Sequence, residues 1–244
     1  MSRALGSVPS GSPLLVIDAE SRDATVAVAR AHGARTLVRP WGGFIATRRF
    51  ALSEVATPWT FMLDADEVLD APLRAGLRAA RPGVRTDGYA VTRVTYFCGR
   101  PMRGGPWSRE SPLRLFRTAS AALRAHPAAG GAADVHERWS VAGNVERLAG
   151  TLHHHSYPSL RAYGEKFARY TTLEAQGAEA SLRALTCAGA LACPRIGWSF
   201  IVRAGWRDGW RGAYVAIASA LYPVVVAWKA RREHGRKSRL RTRL

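Results

Sequence analysis

Short apolar runs alternate with amphipathic stretches through the first hundred residues. Leu14-Leu15-Val16-Ile17 ends at Asp18, and a stretch with helical spacing follows to His32, closed by Gly33. Ser21 or Asp23 can cap that helix, Gly33 suits the left-handed position after it, and Thr36–Val38 predicts the next strand. Pro40–Gly43 is a turn, and Phe44 to Val55 predicts an amphipathic helix carrying Arg48 and Arg49. Trp59–Leu63 is an apolar, β-prone run that stops at three carboxylates, Asp64, Asp66 and Glu67. Such a run reads as a buried strand of a parallel sheet. Asp70, Ala71 and Pro72 form a cap and first turn for a helix to Arg81. Gly88–Cys98 alternates in the β manner through Tyr89, Val91, Arg93, Thr95 and Phe97. Leu113–Phe116 predicts another strand, and one near Val145–Leu152 runs into His153, His154 and His155. The class is α/β.

From Ser159 the spacing turns helical. Leu160–Gln176 places Tyr163, Phe167 and Tyr170 at core positions of a helix. Gly212–Trp228 is a run of 17 uncharged residues containing Pro223, expected to break it. That length is short for a bilayer-spanning helix and suits an interfacial or re-entrant segment. Lys229–Leu244 holds eight Lys/Arg and one Glu. Next to an apolar aromatic segment, such a tail reads as an anchor to an anionic leaflet on the cytoplasmic side; alone it would be a solvated basic tail. The expected organisation is a flexible leader (1–13), an α/β domain (14–158), a helical region with a membrane-associating segment near 212–228 (159–228), and a basic tail (229–244). The leader is rich in Ser, Gly and Pro and lacks the apolar centre of a signal peptide.

Charge sharpens this picture. The 244 residues carry 36 Lys+Arg against 18 Asp+Glu, a net +18, so a polyanionic partner is expected: an anionic membrane surface or nucleic acid. The chain shows no basic recognition helix or aromatic sheet motif, which makes specific nucleic-acid binding a distant third reading. Cys98, Cys187 and Cys193 are odd in number and lack metal-ligand spacing, as in a reducing compartment.

The strand-end acids carry the candidate chemistry. In open α/β sheets ligands sit beyond the carboxyl ends of the strands. An Asp-x-Asp pair there suits Mg²⁺ or Mn²⁺, with substrate phosphates completing the shell; the competing reading is a helix N-terminus decorated with acids. Arg48 and Arg49 either meet a diphosphate or lie on a solvated face. The three adjacent histidines cannot share one site, because strand side chains alternate faces.

Several segments together resemble a known family. Asp18-x-x-Ser21-x-Asp23-x-Thr25, Arg39-Pro40-Trp41-x-Gly43-Phe44, Phe50-Ala51-Leu52 and Trp59 through Asp64-Ala65-Asp66-Glu67 occur in that order. Asp87-Gly88-Tyr89, Trp107, Leu113-Arg114-Leu115-Phe116, Val135-His136-Glu137, His154-x-Ser156-Tyr157 and Tyr170-Thr171-Thr172 follow. Gly205-Trp206-Arg207-Asp208-Gly209-Trp210-Arg211-Gly212 matches a Gly-rich turn before a membrane-associated helix. The series is similar to the family 2 glycosyltransferases of GT-A fold, in the branch that includes lipopolysaccharide core β-1,4-glucosyltransferases.

The resemblance implies a Rossmann-like, mostly parallel sheet flanked by helices. It also implies inverting transfer of a sugar from a nucleotide diphosphate, most commonly UDP, to a hydroxyl of a glycan or glycolipid at the cytoplasmic face of the inner membrane. Asp18 and Asp23 would lie by the nucleoside. Asp64 and Asp66 would hold Mg²⁺ or Mn²⁺, with His154 as a further ligand, and Arg48 and Arg114 would meet phosphates. Glu110 would be the general base, with Glu137 as second candidate. The family's opening strand and helix have no counterpart here, and Glu20, Thr47 and Arg49 stand where Gly or Ser, Gln and Asn are commoner. A non-catalytic or truncated nucleotide-sugar or glycolipid binder is therefore the alternative.

Overall fold

The computed structural model describes residues 1–80, 86–108, 110–125 and 137–241. They fall into two compact units: 1–95 with 109–125 and 137–156, and 96–108 with 157–244. The notional boundary at 158 thus misses one exchange, since the segment 96–108 packs with the helical unit.

The first unit opens with helix α1 (Ser2–Gly6), then β1 (Leu15–Asp18), α2 (Thr25–Ala31) and β2 (Arg35–Val38). A flexible leader was expected at α1. Instead Ala4 is buried, and the buried Ser7 hydroxyl accepts the Leu69 backbone N–H at 3.1 Å, tying the segment down. The β1–α2–β2 unit matches expectation: the strands are parallel, Leu15 opposite Arg35, and Gly33 turns the chain at φ +76°. Val16, Ala29 and Ala34 close its small core.

Helix α3 (Phe44–Ser53), β3 (Trp59–Phe61), β4 (Glu67–Leu69), α4 (Ala71–Ala79) and β5 (Thr86–Phe97) follow. Asp70 caps α4 as expected, accepting from Leu73 N–H at 2.7 Å, while its other oxygen accepts from Thr151 N–H at 2.9 Å. Then come β6 (Arg100–Pro101), β7 (Leu113–Arg117), β8 (Ala122–Ala125), β9 (Glu137–Ser140) and β10 (Asn144–Tyr157). The main sheet has the order β3-β7-β5-β10-β4, and β8-β9 form a separate ribbon. β3–β7, β7–β5 and β10–β4 are antiparallel, and β1–β2 is the one parallel pair described. The α/β, GT-A-like class holds, but the sheet is less parallel than expected. An apolar run such as Trp59–Leu63 reports burial and is silent on the direction of its neighbour. Leu69, Leu73, Val91 and Leu152 form the core against the sheet, with Phe61, Leu63, Leu77 and Leu148 around them.

The second unit contains β6 and helices α5 (Leu160–Ala175), α6 (Leu182–Ala190), α7 (Ala192–Gly197) and α8 (Trp210–Arg241). A π-helical turn (Trp198–Val202) and a 3₁₀ turn (Gly205–Asp208) lead into α8. Its core gathers Phe97, Met102, Tyr163 and Val215 with Trp107, Tyr157 and Tyr214. The ring of Phe97 meets Tyr163 edge-on at 5.6 Å and stacks on Tyr214 at 5.6 Å. Pro223 does not break α8. Val215 and Ala220 before it and Val226 and Ala230 after it are buried, so packing on both sides offsets the lost backbone hydrogen bond. The helix also carries the basic tail as far as Arg241.

The turn into α8 is tightly stacked. The Asp208 carboxylate accepts the N–H groups of Arg103 and Gly104 at 2.8–3.0 Å. A Cβ on Gly212 would run into the Gly205 carbonyl, and one on Gly104 into the Ala204 carbonyl. Both obstacles are backbone, which cannot swing aside. Gly212→Ala is expected to destabilise the protein by about 1–3 kcal/mol, the range for overpacking, read as a lower urea midpoint. Gly189→Ala, where nothing lies in the way, should be neutral or better.

Candidate active site

The acids after β3 sit in a turn made by their own backbone. Glu67 N–H donates to Asp64 C=O at 3.0 Å, and Asp64 N–H donates to Glu67 Oε2 at 3.0 Å. This folds the segment back and drives the Glu67 side chain inward, where it is 0% exposed. A buried carboxylate needs a cation with good geometry, and β7 and β5 supply two. Arg114, 4% exposed, donates through Nη2 to Glu67 Oε1 and to Asp64 Oδ2, the latter at 3.0 Å. Arg93 reaches Glu67 Oε1 at 3.4 Å and holds Glu110 Oε2 through Nε and Nη2 at 2.8 and 2.7 Å. From α3, Arg48 donates to Asp64 Oδ1 at 2.9 Å. Three guanidinium groups and three carboxylates form one chain of contacts. Burial works against the charged form of Asp64, but Arg114 and then Arg48 outweigh it and hold its carboxyl well below the usual carboxylate range.

Asp66 points elsewhere. Its Oδ1 lies 3.5 Å from His154 Nε2, and His154 Nδ1 lies 3.4 Å from the Thr95 hydroxyl. The histidines divide by face as strand geometry demands: on the face opposite His154, the His155 ring accepts from Arg3 at 3.3 Å. At the end of β1, Asp18 is buried and accepts the Ser21 N–H at 2.8 Å. The exposed Asp23 accepts the Thr25 N–H at 3.0 Å, and the Thr25 hydroxyl together with that N–H lowers its pKa. Glu20, between them, has φ +60°, a conformation that favours glycine.

A cavity of about 810 Å³ opens against this cluster. It is lined by Leu14 and by Leu15–Ile17 of β1, by Trp59 and Phe61 of β3, by Trp41, Phe44 and Arg48, and by Asp64 at the strand end. Its volume falls in the range of small-molecule and cofactor sites, about 300–1,000 Å³. Apolar walls with an Arg–Asp pair at one end suit a ligand with a flat or apolar part and an anionic part.

Comparison with known proteins places this arrangement. Residues 13–114, from the leader to Arg114, match the model of glycosyl transferase family 2. That stretch of the chain is similar to the family. It is 27% identical to the lipopolysaccharide core biosynthesis glycosyltransferase LpsC of Rhizobium meliloti, over 98% of this chain and 90% of that protein. It is 25% identical to an uncharacterized glycosyltransferase of Rickettsia felis, over 72% of this chain and 64% of that protein. Over 38% of its length it is 32% identical to a counterpart in Rickettsia conorii.

In this chain Arg48, Asp64, Glu110 and Arg114 share one charge network. Asp66 and His154 meet beside it, while Asp18 and Asp23 stand in the turn after β1. Glu137 lies in β9 opposite Ala125, but its side chain, like Asp134–His136, lies outside the described residues. Arg114 and Asp64 are committed to one another, where the sequence reading gave one to phosphates and the other to a metal. Two members of the network carried no expected role, Glu67 and Arg93. The signal for Arg93 was its place on the inward face of β5, in line with Val91, Thr95 and Phe97, where a lone cation demands a buried partner.

Family 2 enzymes generally use a divalent metal. Among the described residues no three His, Cys, Asp or Glu side chains gather as a metal cage. Mg²⁺ and Mn²⁺ need less, one or two carboxylates with phosphate and water oxygens. Asp66 fits that role, with its carboxylate 37% exposed and His154 beside it. Asp64 fits it less well, since both its oxygens already accept from arginines.

Two predictions follow from the network. Arg114→Met should destabilise the protein by about 3–5 kcal/mol by stranding buried Glu67. The double variant Arg114→Met/Glu67→Leu should recover much of that loss in urea unfolding. The second concerns acid. Because the Asp64 pKa is lowered on folding, its contribution is complete above its ordinary value of 3.8 and disappears as pH falls below it. Asp64→Asn should therefore flatten the fall in stability between about pH 5 and pH 2.

Proposed function

We propose that the protein transfers a sugar from a nucleoside diphosphate, UDP first among candidates, to a hydroxyl of a lipopolysaccharide core or related envelope glycan, with inversion. The observation that carries this reading is that Arg48 and Asp64 belong both to the strand-end charge network and to the wall of the apolar cavity. The nucleoside would enter the cavity between Trp41, Phe44 and β1, near Asp18 and Asp23. The diphosphate would then lie at the strand ends. The acceptor reading is supported by the similarity to LpsC along nearly the whole chain.

In the proposed reaction the bond between the anomeric carbon and the diphosphate oxygen breaks as the acceptor oxygen bonds to that carbon from the opposite side. The hydroxyl proton goes to a carboxylate, for which Glu110 is the first candidate and Glu137 the second. Arg93 holds the Glu110 carboxylate in place. A divalent ion held by Asp66 and His154 would neutralise charge on the departing diphosphate. Arg48 would add positive charge to the same region. The domain assignment follows: 14–158 as the nucleotide-sugar-binding catalytic part, 159–228 as a helical part for the membrane, and 229–244 as a basic extension. The site of action would be the cytoplasmic face of the inner membrane.

A thermal-shift titration with UDP, ADP and GDP, with and without Mn²⁺, tests the donor site. Ligand that binds only the folded chain raises Tm by mass action, with about 2.7 kcal/mol of added stability at a hundredfold excess over Kd. UDP should shift Tm more with Mn²⁺ than without, and Asp66→Asn should erase the metal's increment while leaving the unliganded Tm unchanged. A cooperative melt that no nucleotide moves would overturn the reading in favour of a chain that no longer binds a donor.

A further inference from the structure

Helix α8 has two apolar faces, one buried within its unit and one largely exposed. Val215, Ala216, Ala220, Val226, Ala227 and Ala230 are buried against α5, α6 and α7. The inner face is also fastened by polar contacts. Tyr222 donates to the buried Glu174 at 2.6 Å, and Lys229 Nζ donates to Ala168 C=O, Thr171 Oγ1 and Thr172 Oγ1 at 2.8–2.9 Å.

On the opposite side lie Trp210, Ile217, Leu221 and Trp228, exposed by 53, 46, 42 and 48%. Their spacing of seven, four and seven residues places them within about 40° of one line on a helix. At 1.5 Å per residue the stripe is about 27 Å long. A tryptophan stands at each end, and an arginine stacks on each: Arg211 over Trp210 at 4.6 Å and Arg232 over Trp228 at 5.4 Å. Arg211 also donates to the Cys98 carbonyl at 3.1 Å, and the Trp210 ring meets Phe97 edge-on at 6.2 Å, so this end of the stripe is tied to the unit. The turns packed at the start of α8 add Trp206 and Ile201, exposed by 59 and 68%. Arg207, Arg231 and Arg236 are exposed beside this surface.

By length and composition Trp210–Arg236 qualifies as a membrane span. Its packing argues against that. A spanning helix meets lipid or apolar neighbours all round, whereas α8 is covered along one side by α5, which carries Arg161, Glu165, Lys166 and Arg169. A one-sided apolar stripe, tryptophans at its ends and arginines at its rim are the features of a helix lying in the interface plane.

We propose that α8 lies flat on an anionic bilayer, its Trp210–Ile217–Leu221–Trp228 stripe immersed to the acyl boundary and its exposed Arg231, Arg232 and Arg236 on lipid phosphates. The net charge of +18 selects an anionic leaflet over a neutral one. The surface deepens the proposed transfer to an envelope acceptor and rests on it only for its purpose, which is to hold the enzyme where a lipid-borne acceptor lies.

The test is flotation of the full chain with phosphatidylglycerol–phosphatidylcholine vesicles and with pure phosphatidylcholine vesicles. Binding should require the anionic lipid and shift tryptophan fluorescence to the blue. Ile217→Glu/Leu221→Glu should weaken binding by an order of magnitude or more, with its unliganded melt and its UDP-dependent shift unchanged. Equal binding by the variant, equal binding to neutral vesicles, or strongest tryptophan quenching by lipids brominated at the bilayer centre would each overturn the proposal. Vesicle binding without any nucleotide response would leave this surface standing and remove the transfer reading instead.

Discussion

The ion cluster around Glu67 is the constraint on which the first unit depends. A carboxylate with no exposed surface is tolerated only while Arg114 stays beside it, and Arg114 comes from β7, the strand between β3 and β5. The same guanidinium reaches Asp64, and Arg93 from β5 extends the chain to Glu110. One buried charge therefore fixes the relative placement of three strands and the turn that carries the candidate chemistry. Hydrophobic contacts alone would not set that register, since Phe61, Val91 and Leu152 would tolerate small slips that the paired charges do not.

The network also bears on function. Bare acids at a strand end would repel an incoming diphosphate. Here Asp64, Glu67 and Glu110 are matched by Arg48, Arg93 and Arg114, so the cluster carries no net charge of its own and need not oppose an anion. Asp66 is left to one side, half in solvent and next to an imidazole. The two aspartates of the Asp-x-Asp motif thus have different surroundings, Asp64 held between Arg48 and Arg114 and Asp66 beside His154. Motif spacing alone treats them as equals.

Much of the fold was legible because it rests on local rules. Asp70 as a cap, Gly33 in a left-handed turn, the β1–α2–β2 unit and the alternation of β5 each follow from a few neighbouring residues. The order of motifs along the chain pointed to the family whose model residues 13–114 match. What stayed hidden depends on partners distant in sequence. The antiparallel pairing of β3 with β7 joins residues more than fifty positions apart, and Arg114's partners lie in a turn some fifty positions earlier. Helix α1 read as a loose leader because Ser, Gly and Pro dominate its surroundings; its order comes from Ala4 and Ser7 docking near β4, which composition does not report. Pro223 read as a break because propensity weighs the missing hydrogen bond and not the buried residues on either side.

Helix α8 shows why an apolar segment must be judged by its faces as well as its length. Seventeen uncharged residues invite a membrane reading, and a buried core helix would explain them equally well. Both readings capture half of the helix. The inner face does the work of a core, joined to α5 by Tyr222 and Lys229. The outer stripe is largely exposed, touching that core through Trp210 against Phe97, and its tryptophans and stacked arginines match the chemical gradient from acyl chain to headgroup. A helix fastened on one side and apolar on the other can meet a membrane only along its length.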